Sequence, residues 1–159
     1  MKIDGFESDR LVFREIMKSD SDFIVKLRAD ESVYCFFKNP HRITLDEHIK
    51  WYNDSYFQNN KRFDFIILEK NTNNKVGVVG FNVENNIEIN YIIEENFQGR
   101  GYGFESISQL IKVIENLYPN YPIIAIIHKD NFKSIGLIKK VGFCFVFRDG
   151  NFDTYMRDL

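Results

Sequence analysis

Cysteines and long apolar runs are scarce in this sequence. It has only two cysteines in 159 residues, Cys35 and Cys144, which indicates a reducing compartment rather than a disulfide framework. Both have aromatic and aliphatic neighbours, so we expect two buried thiols. No apolar run approaches the roughly 20 residues of a membrane-spanning helix, and the charged first ten residues do not fit a signal peptide. We therefore expect a cytoplasmic protein without a membrane partner.

An excess of positive charge and clusters of metal ligands are also missing. The formal net charge of −2 implies no general affinity for nucleic acid. The three histidines, His41, His48 and His128, are scattered, and no Cys/His cluster has the spacing of metal ligands, so we expect no metal site. Because no repeat, low-complexity tract or linker divides the chain, residues 1–159 are predicted to form a single domain.

The most informative feature that is present is a glycine-rich hexapeptide, Q-x-x-G-x-G, at residues 98–103. It follows a strand-like apolar run and opens an amphipathic helix. A glycine loop at such a junction aims backbone N–H groups at one point, where the helix N-terminus adds a partial positive charge. The missing Cβ atoms of Gly101 and Gly103 would let the backbone approach an anion closely. The spacing predicts a phosphate-binding loop, with a solvent-facing glycine turn as the alternative.

The hydrophobic pattern predicts a mixed α/β domain with the element order β-α-α-β-β-β-α-β-α-β-β. Ser19 and Thr44 are predicted to cap the first two helices, and Phe104 is placed on the buried face of the helix after the glycine loop. Three consecutive strands without helices between them argue against a doubly wound fold. The predicted strands cover residues 11–16, 63–68, 76–83, 87–93, 121–127, 142–147 and 152–156, and the last helix covers residues 131–140.

This element order, with the glycine loop after the fourth strand, resembles the GNAT superfamily of N-acetyltransferases. A second segment strengthens the resemblance, because the family's N-x-x-S and K-x-G-F patterns occur one helix and one strand later, at Asn131, Ser134, Lys140, Gly142 and Phe143. The resemblance extends from residue 10 to residue 156. It implies a mostly antiparallel central sheet whose fourth and fifth strands splay apart.

The resemblance implies acetyl-CoA as the donor substrate. Its pyrophosphate would lie on the backbone N–H groups of the glycine loop, and its pantetheine arm would insert beside the fourth strand. Asn131 would face the cofactor and could also cap the following helix. The cofactor-binding residues implied in this way are Ile92, Ile93, Gln98, Gly99, Arg100, Gly101, Tyr102, Gly103, Asn131 and Ser134.

In the family, a neutral amine attacks the thioester, and backbone N–H groups of the fourth strand stabilise the oxyanion. Glu88 is the first candidate for the base, directly or through water, with a solvent-facing strand carboxylate as the alternative. In many relatives a tyrosine seven residues after the asparagine acts as the acid for the departing thiolate, but this chain has Ile138 at that position. Tyr91 and Tyr155 are the possible substitutes for that acid, and the sequence does not choose between them.

Two resemblances bear on the acceptor. The segments RLVFREI and ISQLIKVIENL resemble ribosomal-protein alanine acetyltransferases. Residues 27–33 and 43–52 instead resemble acetyltransferases that modify the 4-amino group of nucleotide-linked deoxyamino sugars. Arg28, His48 and Trp51 would then bind the substrate, since a cation can meet a diphosphate and an aromatic ring can stack on a base or sugar. The alternative is that these three are ordinary helix residues.

Three functions therefore remain open from the sequence. The first is an N-acetyltransferase for a small amine, such as a nucleotide-linked amino sugar. The second is a protein N-terminal acetyltransferase, and the third is a non-catalytic acyl-CoA-binding regulatory domain. A monomer or a homodimer is expected under each of them.

Overall fold

A mixed eight-stranded β-sheet forms the centre of the computed structural model, which describes residues 3–157. The strands follow the order β1-β2-β3-β4-β5-β6-β8-β7 across the sheet, and every neighbouring pair is antiparallel except β5 and β6. They are β1 (Phe6–Glu7), β2 (Leu11–Glu15), β3 (Arg62–Glu69), β4 (Lys75–Val83), β5 (Ile87–Ile93), β6 (Ile123–His128), β7 (Phe143–Asp149) and β8 (Phe152–Arg157).

Five α-helices connect these strands, and the mixed α/β class predicted from the sequence is confirmed. The helices are α1 (Ser21–Leu27), α2 (Glu31–Tyr34), α3 (Leu45–Trp51), α4 (Tyr102–Leu117) and α5 (Phe132–Val141). The two-residue strand β1 and the four-residue helix α2 are additions that the sequence pattern missed, because both are too short to show a period. No helix within the described residues is long and apolar enough to cross a membrane.

The sheet separates two hydrophobic cores of unequal size. On one face, α4 buries Ile107, Leu110, Ile111 and Ile114 against the phenylalanine-rich side of β3 and β4, and none of these four side chains is exposed. On the other face a smaller cluster beneath α1 and α3 is built around Ile66. Full burial of each such side chain contributes about 1.5–3 kcal/mol. The helix that follows the glycine loop is therefore the more firmly anchored one.

The sheet splays between β5 and β6, as the family resemblance implied. Their parallel pairing consists of Ile87 with Ile123 and Glu88 with Ile124. Beyond Glu88, β5 continues to Ile93 in register with β4 alone. These are the fourth and fifth strands of the sequence prediction, since β1 adds one to the count. The wedge leaves one side of the β5 backbone open to a ligand.

Two of the local predictions about the helices are wrong. Ser19 does not cap α1, because it lies in a 3₁₀ turn at Lys18–Asp20 and the helix begins only at Ser21. Phe104 is more than one third exposed, and its ring contacts the Lys140 ammonium group of α5 rather than the sheet. The capping role of Thr44 is confirmed, since its side chain accepts a hydrogen bond from the Glu47 N–H at 3.2 Å.

The prediction of buried thiols is also wrong. Cys35 follows the short helix α2, and Cys144 belongs to β7, and both side chains are exposed. The apolar neighbours of Cys144 misled the prediction because β7 is the edge of the sheet, where Phe145 and Phe147 are themselves about half exposed. An apolar sequence therefore does not imply a covered strand at this edge.

Candidate active site

The glycine loop has the backbone geometry of an anion-binding site. Gly99 and Gly101 have φ angles of +77° and +81°, in the left-handed region that favours glycine. Gly101 is also the N-cap of α4, and no side chain caps the first turn of this helix. As in every α-helix, its first N–H groups have no intrahelical partner, and here no side chain of the N-cap takes that place. Arg100 is exposed beside them, with its guanidinium carbon 5.1 Å from the Phe97 ring centroid.

Three other residues of the predicted cofactor set hold the loop in place. Gln98 donates from Nε2 to the Ile93 carbonyl at 3.0 Å, which ties the loop to the end of β5. Tyr102 is buried, and its hydroxyl donates to Glu69 rather than facing the loop. A Cβ on Gly103 would lie 2.8 Å from Leu137 Cδ2, so this glycine allows α4 and α5 to pack closely. Close packing of these two helices is therefore one role of Gly103, and its approach to an anion stays a prediction.

Asn131 and Ser134 lie at the N-terminus of α5, beside the splay. The Asn131 side chain accepts a hydrogen bond from the Ser134 N–H at 3.3 Å, which makes Asn131 the helix N-cap. Tyr91 on β5 donates from its hydroxyl to the Ser134 carbonyl at 3.3 Å. Burial raises the pKa of this phenol, so it stays protonated at neutral pH. Ile92 and Ile93 end β5 and are half-buried. The Ile92 backbone faces β4, so of these two residues only Ile93 turns its backbone to the open side, and the prediction for Ile92 is wrong.

Glu88 stands at the fork of the wedge. It is the last residue of β5 that pairs with β6, and it alternates with the buried Ile87 and Ile89, so its side chain lies on the opposite face from α4. The Glu88 carboxylate has no hydrogen-bond or ion-pair partner among residues 3–157. A half-buried carboxylate without a partner is available to take a proton.

Neither of the other two positions considered for the acid is open. Ile138 has no exposed surface and fills part of the main core. Tyr155 is only 3% exposed, and its ring packs edge-on against Phe145 on the outer strands. Tyr91 is thus the tyrosine of the pair that the structure places at the splay.

The predicted acceptor residues Arg28, His48 and Trp51 are brought together on the face of the sheet opposite α4. The His48 and Trp51 ring centroids are 5.2 Å apart, and His48 Nδ1 lies 2.9 Å from the Ser21 hydroxyl. Burial first, and then the charges of Arg28 and Arg62, lower the pKa of His48 to about 4. The imidazole is therefore neutral at physiological pH and adds no charge to the cluster.

Two further members of this cluster, Arg62 and Asp64, were missed from the sequence. The Arg62 guanidinium carbon lies 5.1 Å from the Trp51 ring centroid, and Nε donates to Asp64 Oδ2 at 2.9 Å. Asp64 Oδ1 is fully buried and has no partner among the described residues. Gly80 makes room for this carboxylate, because a Cβ there would collide with Oδ1. The signal was present, since Asp64 is the one charged residue within the apolar run of β3.

Arg28 differs from the other buried charges of the molecule. Its guanidinium carbon lies 4.9 Å from the Phe37 ring centroid, and within residues 3–157 it has no hydrogen-bond or ion-pair partner. Burial, and then the charge of Arg62, lower its pKa. Asp20 shows the contrast, because Arg14 and Lys75 contact it at 2.7–2.9 Å. Because buried charges are normally paired, a negatively charged ligand could supply the ion-pair partner that Arg28 lacks.

Residues 10–144 match the sequence profile of the acetyltransferase (GNAT) domain family. The chain belongs to this family. The predicted GNAT resemblance is thereby confirmed, and with it the α/β GNAT fold of this chain.

One curated sequence and one solved domain from the same organism are similar to this chain. An uncharacterised protein of Methanocaldococcus jannaschii, MJ1062, is 31% identical over 145 residues, which cover 86% of this chain and 28% of the relative. The chain thus spans little more than a quarter of that curated relative. The crystal structure of a domain from the same organism superposes with a TM-score of 0.82 at 27% identity, over 98% of this chain and all of that one.

A GNAT enzyme with a known acceptor also shares the fold. The spermidine N-acetyltransferase of Vibrio cholerae, solved in complex with coenzyme A and spermine, superposes with a TM-score of 0.77 at 21% identity, over 94% of each chain. At this level of identity the likeness concerns the fold alone. The acceptor of the present GNAT domain has to be inferred from its own residues.

Proposed function

We propose that this GNAT enzyme transfers the acetyl group of acetyl-CoA to a primary amine on a small acceptor that also carries a negative charge. A nucleotide-linked amino sugar is the acceptor class that fits best. The observation that carries the proposal is the unpaired, half-buried guanidinium of Arg28 beside Arg62 and Trp51.

The donor part of the proposal rests on the glycine loop and the splay. Two left-handed glycines and an uncapped helix N-terminus offer backbone donors to a diphosphate. Hydrogen bonds to charged groups contribute roughly 1.5–3 kcal/mol each, so a few of them suffice to hold the cofactor. The side of β5 that turns away from β4, which includes the backbone of Tyr91 and Ile93, is offered to an extended chain such as pantetheine.

The acceptor part rests on charge and distance. A guanidinium presents a planar fork of donors that suits a phosphate, and both arginines lie on the same face as Glu88. Arg62, Asn82 and Glu88 are direct neighbours across three strands, so Arg62 and Glu88 are on the order of 10 Å apart at their Cα atoms. An acceptor with its amine at Glu88 and a phosphate at the arginines would span this distance.

A polyamine suits this surface poorly. Two arginines face the proposed acceptor pocket, and the carboxylate beside them, Asp64, is buried and already bonded to Arg62. Glu88 alone would have to bind the several positive charges of a polyamine. Like charges across a binding surface disfavour the wrong partner. The shared fold with a spermidine acetyltransferase therefore does not carry its acceptor over to this chain.

The chemistry assigns one role to each group at the splay. The acceptor nitrogen forms a bond to the thioester carbon, its proton passes to Glu88 directly or through one water, and the carbon–sulfur bond breaks. Backbone N–H groups on the open side of β5 stabilise the oxyanion. Tyr91, held by the Ser134 carbonyl, supplies the proton that converts the departing thiolate to a thiol.

The test is an acceptor panel with radiolabelled acetyl-CoA. A nucleotide-linked 4-amino sugar, spermidine and an N-terminal peptide of a ribosomal protein are supplied at equal concentration. Fastest labelling of the sugar nucleotide supports the proposal. Preference for the peptide or for spermidine overturns the acceptor part, and binding of acetyl-CoA without transfer to any amine points to a regulatory domain instead.

A further inference from the structure

Arg10, which precedes β2, is connected to the glycine loop through three separate groups. We propose that Arg10 and Glu105 are positioning residues that hold the phosphate loop in its binding shape before the cofactor arrives. The inference rests on the proposed use of acetyl-CoA, but it concerns residues outside the loop motif.

The contacts of Arg10 cover the loop and the first turn of α4 that follows it. Its Nε donates to Glu105 Oε2 at 2.7 Å, and its Nη1 donates to the Arg100 carbonyl at 2.9 Å. The guanidinium carbon lies 4.5 Å from the Tyr102 ring centroid, and Nη2 lies 3.3 Å from the position that a Cβ on Gly101 would take. One side chain therefore contacts Arg100 and Tyr102 and lies beside Gly101 between them.

Glu105 fixes the other half of the brace. Its Oε1 accepts hydrogen bonds from the Arg10 N–H at 2.8 Å and from the Ser8 hydroxyl at 2.7 Å. Burial alone would raise the pKa of Glu105, but these bonds and the Arg10 guanidinium outweigh it and lower the pKa. The carboxylate lies in the first turn of α4, where the helix dipole also favours its charge. It stays ionised and bonded at neutral pH.

The arrangement argues for bracing rather than for direct binding of phosphate. The Arg10 donors Nε and Nη1 are already used inside the protein, and the charge of Arg10 is balanced by Glu105. A loop that relies on two left-handed glycines gains flexibility from them. If such a loop is already held in one conformation, less conformational entropy is lost when the cofactor binds, and the affinity is higher.

Two substitutions distinguish bracing from simple charge. Arg10→Lys keeps the positive charge but loses the planar fork that reaches two acceptors at once. Glu105→Gln removes a negative charge close to the anionic cofactor, so a purely electrostatic role predicts tighter binding. Bracing predicts the reverse, with the dissociation constant for coenzyme A raised about tenfold by either change. Because the two residues act as one unit, the double variant should lose no more than either single one.

The experiment combines calorimetric titration of coenzyme A with hydrogen exchange of the cofactor-free protein. Arg148→Gln is the matched control, since it breaks a similar pair with Asp153 on the far edge strands. We expect weaker binding, an unchanged kcat at saturating acetyl-CoA, and faster exchange of the amides of residues 98–103, in both variants but not in the control.

Unchanged or tighter binding by Glu105→Gln, or full rescue of binding by lysine at position 10, would overturn the inference. Failure of the unaltered protein to bind coenzyme A would contradict the proposed function instead. The exchange measurement needs no cofactor, so in that case it still decides whether the brace exists.

Discussion

The proposed donor side and the proposed acceptor side of this GNAT domain differ in how their charges are paired. At the phosphate loop, Arg10 and Glu105 neutralise each other, and the loop offers uncharged backbone N–H groups. At the acceptor cluster, Arg28 has no hydrogen-bonded anion among the described residues, and Arg62 pairs with one buried carboxylate, Asp64. The donor side depends on the conformation of its backbone, whereas the acceptor side contains a side-chain charge, that of Arg28, without a paired anion.

This difference suggests how each ligand would be recognised, the donor by backbone groups and the acceptor by side-chain charge. A backbone site can serve any diphosphate that reaches the splay, and it needs glycines more than particular side chains. A cluster with one unpaired, half-buried cation selects its ligand by charge, and burying that cation costs stability until the ligand arrives. Substitutions on the two sides should therefore affect different kinetic constants.

The largest effect is expected between the two sides, at Glu88. Glu88→Gln should lower kcat by about 10²- to 10⁴-fold, because the amine loses its base, while the dissociation constant for acetyl-CoA stays unchanged. Steady-state thiol release and cofactor titration measure the two quantities. The control is Glu84→Gln in the turn before β5, where the carboxylate is exposed. A kcat within threefold of the unaltered enzyme would remove Glu88 from the mechanism.

The next effect concerns the acceptor side alone. Arg28→Gln should raise KM for an anionic acceptor by about 10- to 100-fold, the equivalent of one charge-assisted hydrogen bond, and should leave KM for acetyl-CoA unchanged. Lys26→Gln removes the same charge from an exposed position of α1 and serves as the control. If both variants change acceptor KM equally, Arg28 acts only through the overall charge.

A smaller effect tests the donor side through its backbone. Gly101→Ala and Gly150→Ala each place a side chain at positive φ, which costs about 1–2 kcal/mol of stability in either case. Gly150 belongs to the turn between β7 and β8, remote from the loop. We expect similar falls in the unfolding midpoint but a loss of coenzyme A affinity only at Gly101. Equal affinity for coenzyme A in both variants would mean that the glycine loop does not bind the cofactor.

The smallest effect separates two roles of Asn131. Asn131→Ala should cost about 1 kcal/mol of stability because the N-cap of α5 is lost, whereas Asn131→Ser keeps a capping oxygen. If the carboxamide also faces the cofactor, both variants raise KM for acetyl-CoA. A raised KM confined to the alanine variant would mean that the helix cap is the whole role of this residue.

Sequence patterns predicted the parts of the molecule that depend on near neighbours. The caps at Thr44 and Asn131 need a partner three residues away, and the loop glycines need only their own backbone angles. Ser19 shows the limit, because Asp20 and the cations that bind it from β2 and β4 shape that turn. Exposure of Cys144 likewise depends on the place of β7 in the sheet.

The acceptor cluster was predictable only in part, for the same physical reason. Arg28, His48 and Trp51 were suggested by a resemblance, but the roles of Arg62 and Asp64 depend on a strand that joins them from elsewhere in the chain. The glycine of β4 that accommodates Asp64 is paired with it across the sheet. That Gly80 lies next to Asp64 can be known only once the register of β3 and β4 is known.

The preference between a nucleotide-linked amino sugar and the same amino sugar without its nucleotide tests the central claim most directly. With acetyl-CoA saturating, kcat/KM should be at least about tenfold higher for the nucleotide-linked form, and the advantage should shrink as salt is raised and in Arg28→Gln. Equal kcat/KM for the two acceptors, unchanged by salt, would contradict recognition of a negatively charged acceptor by this cluster.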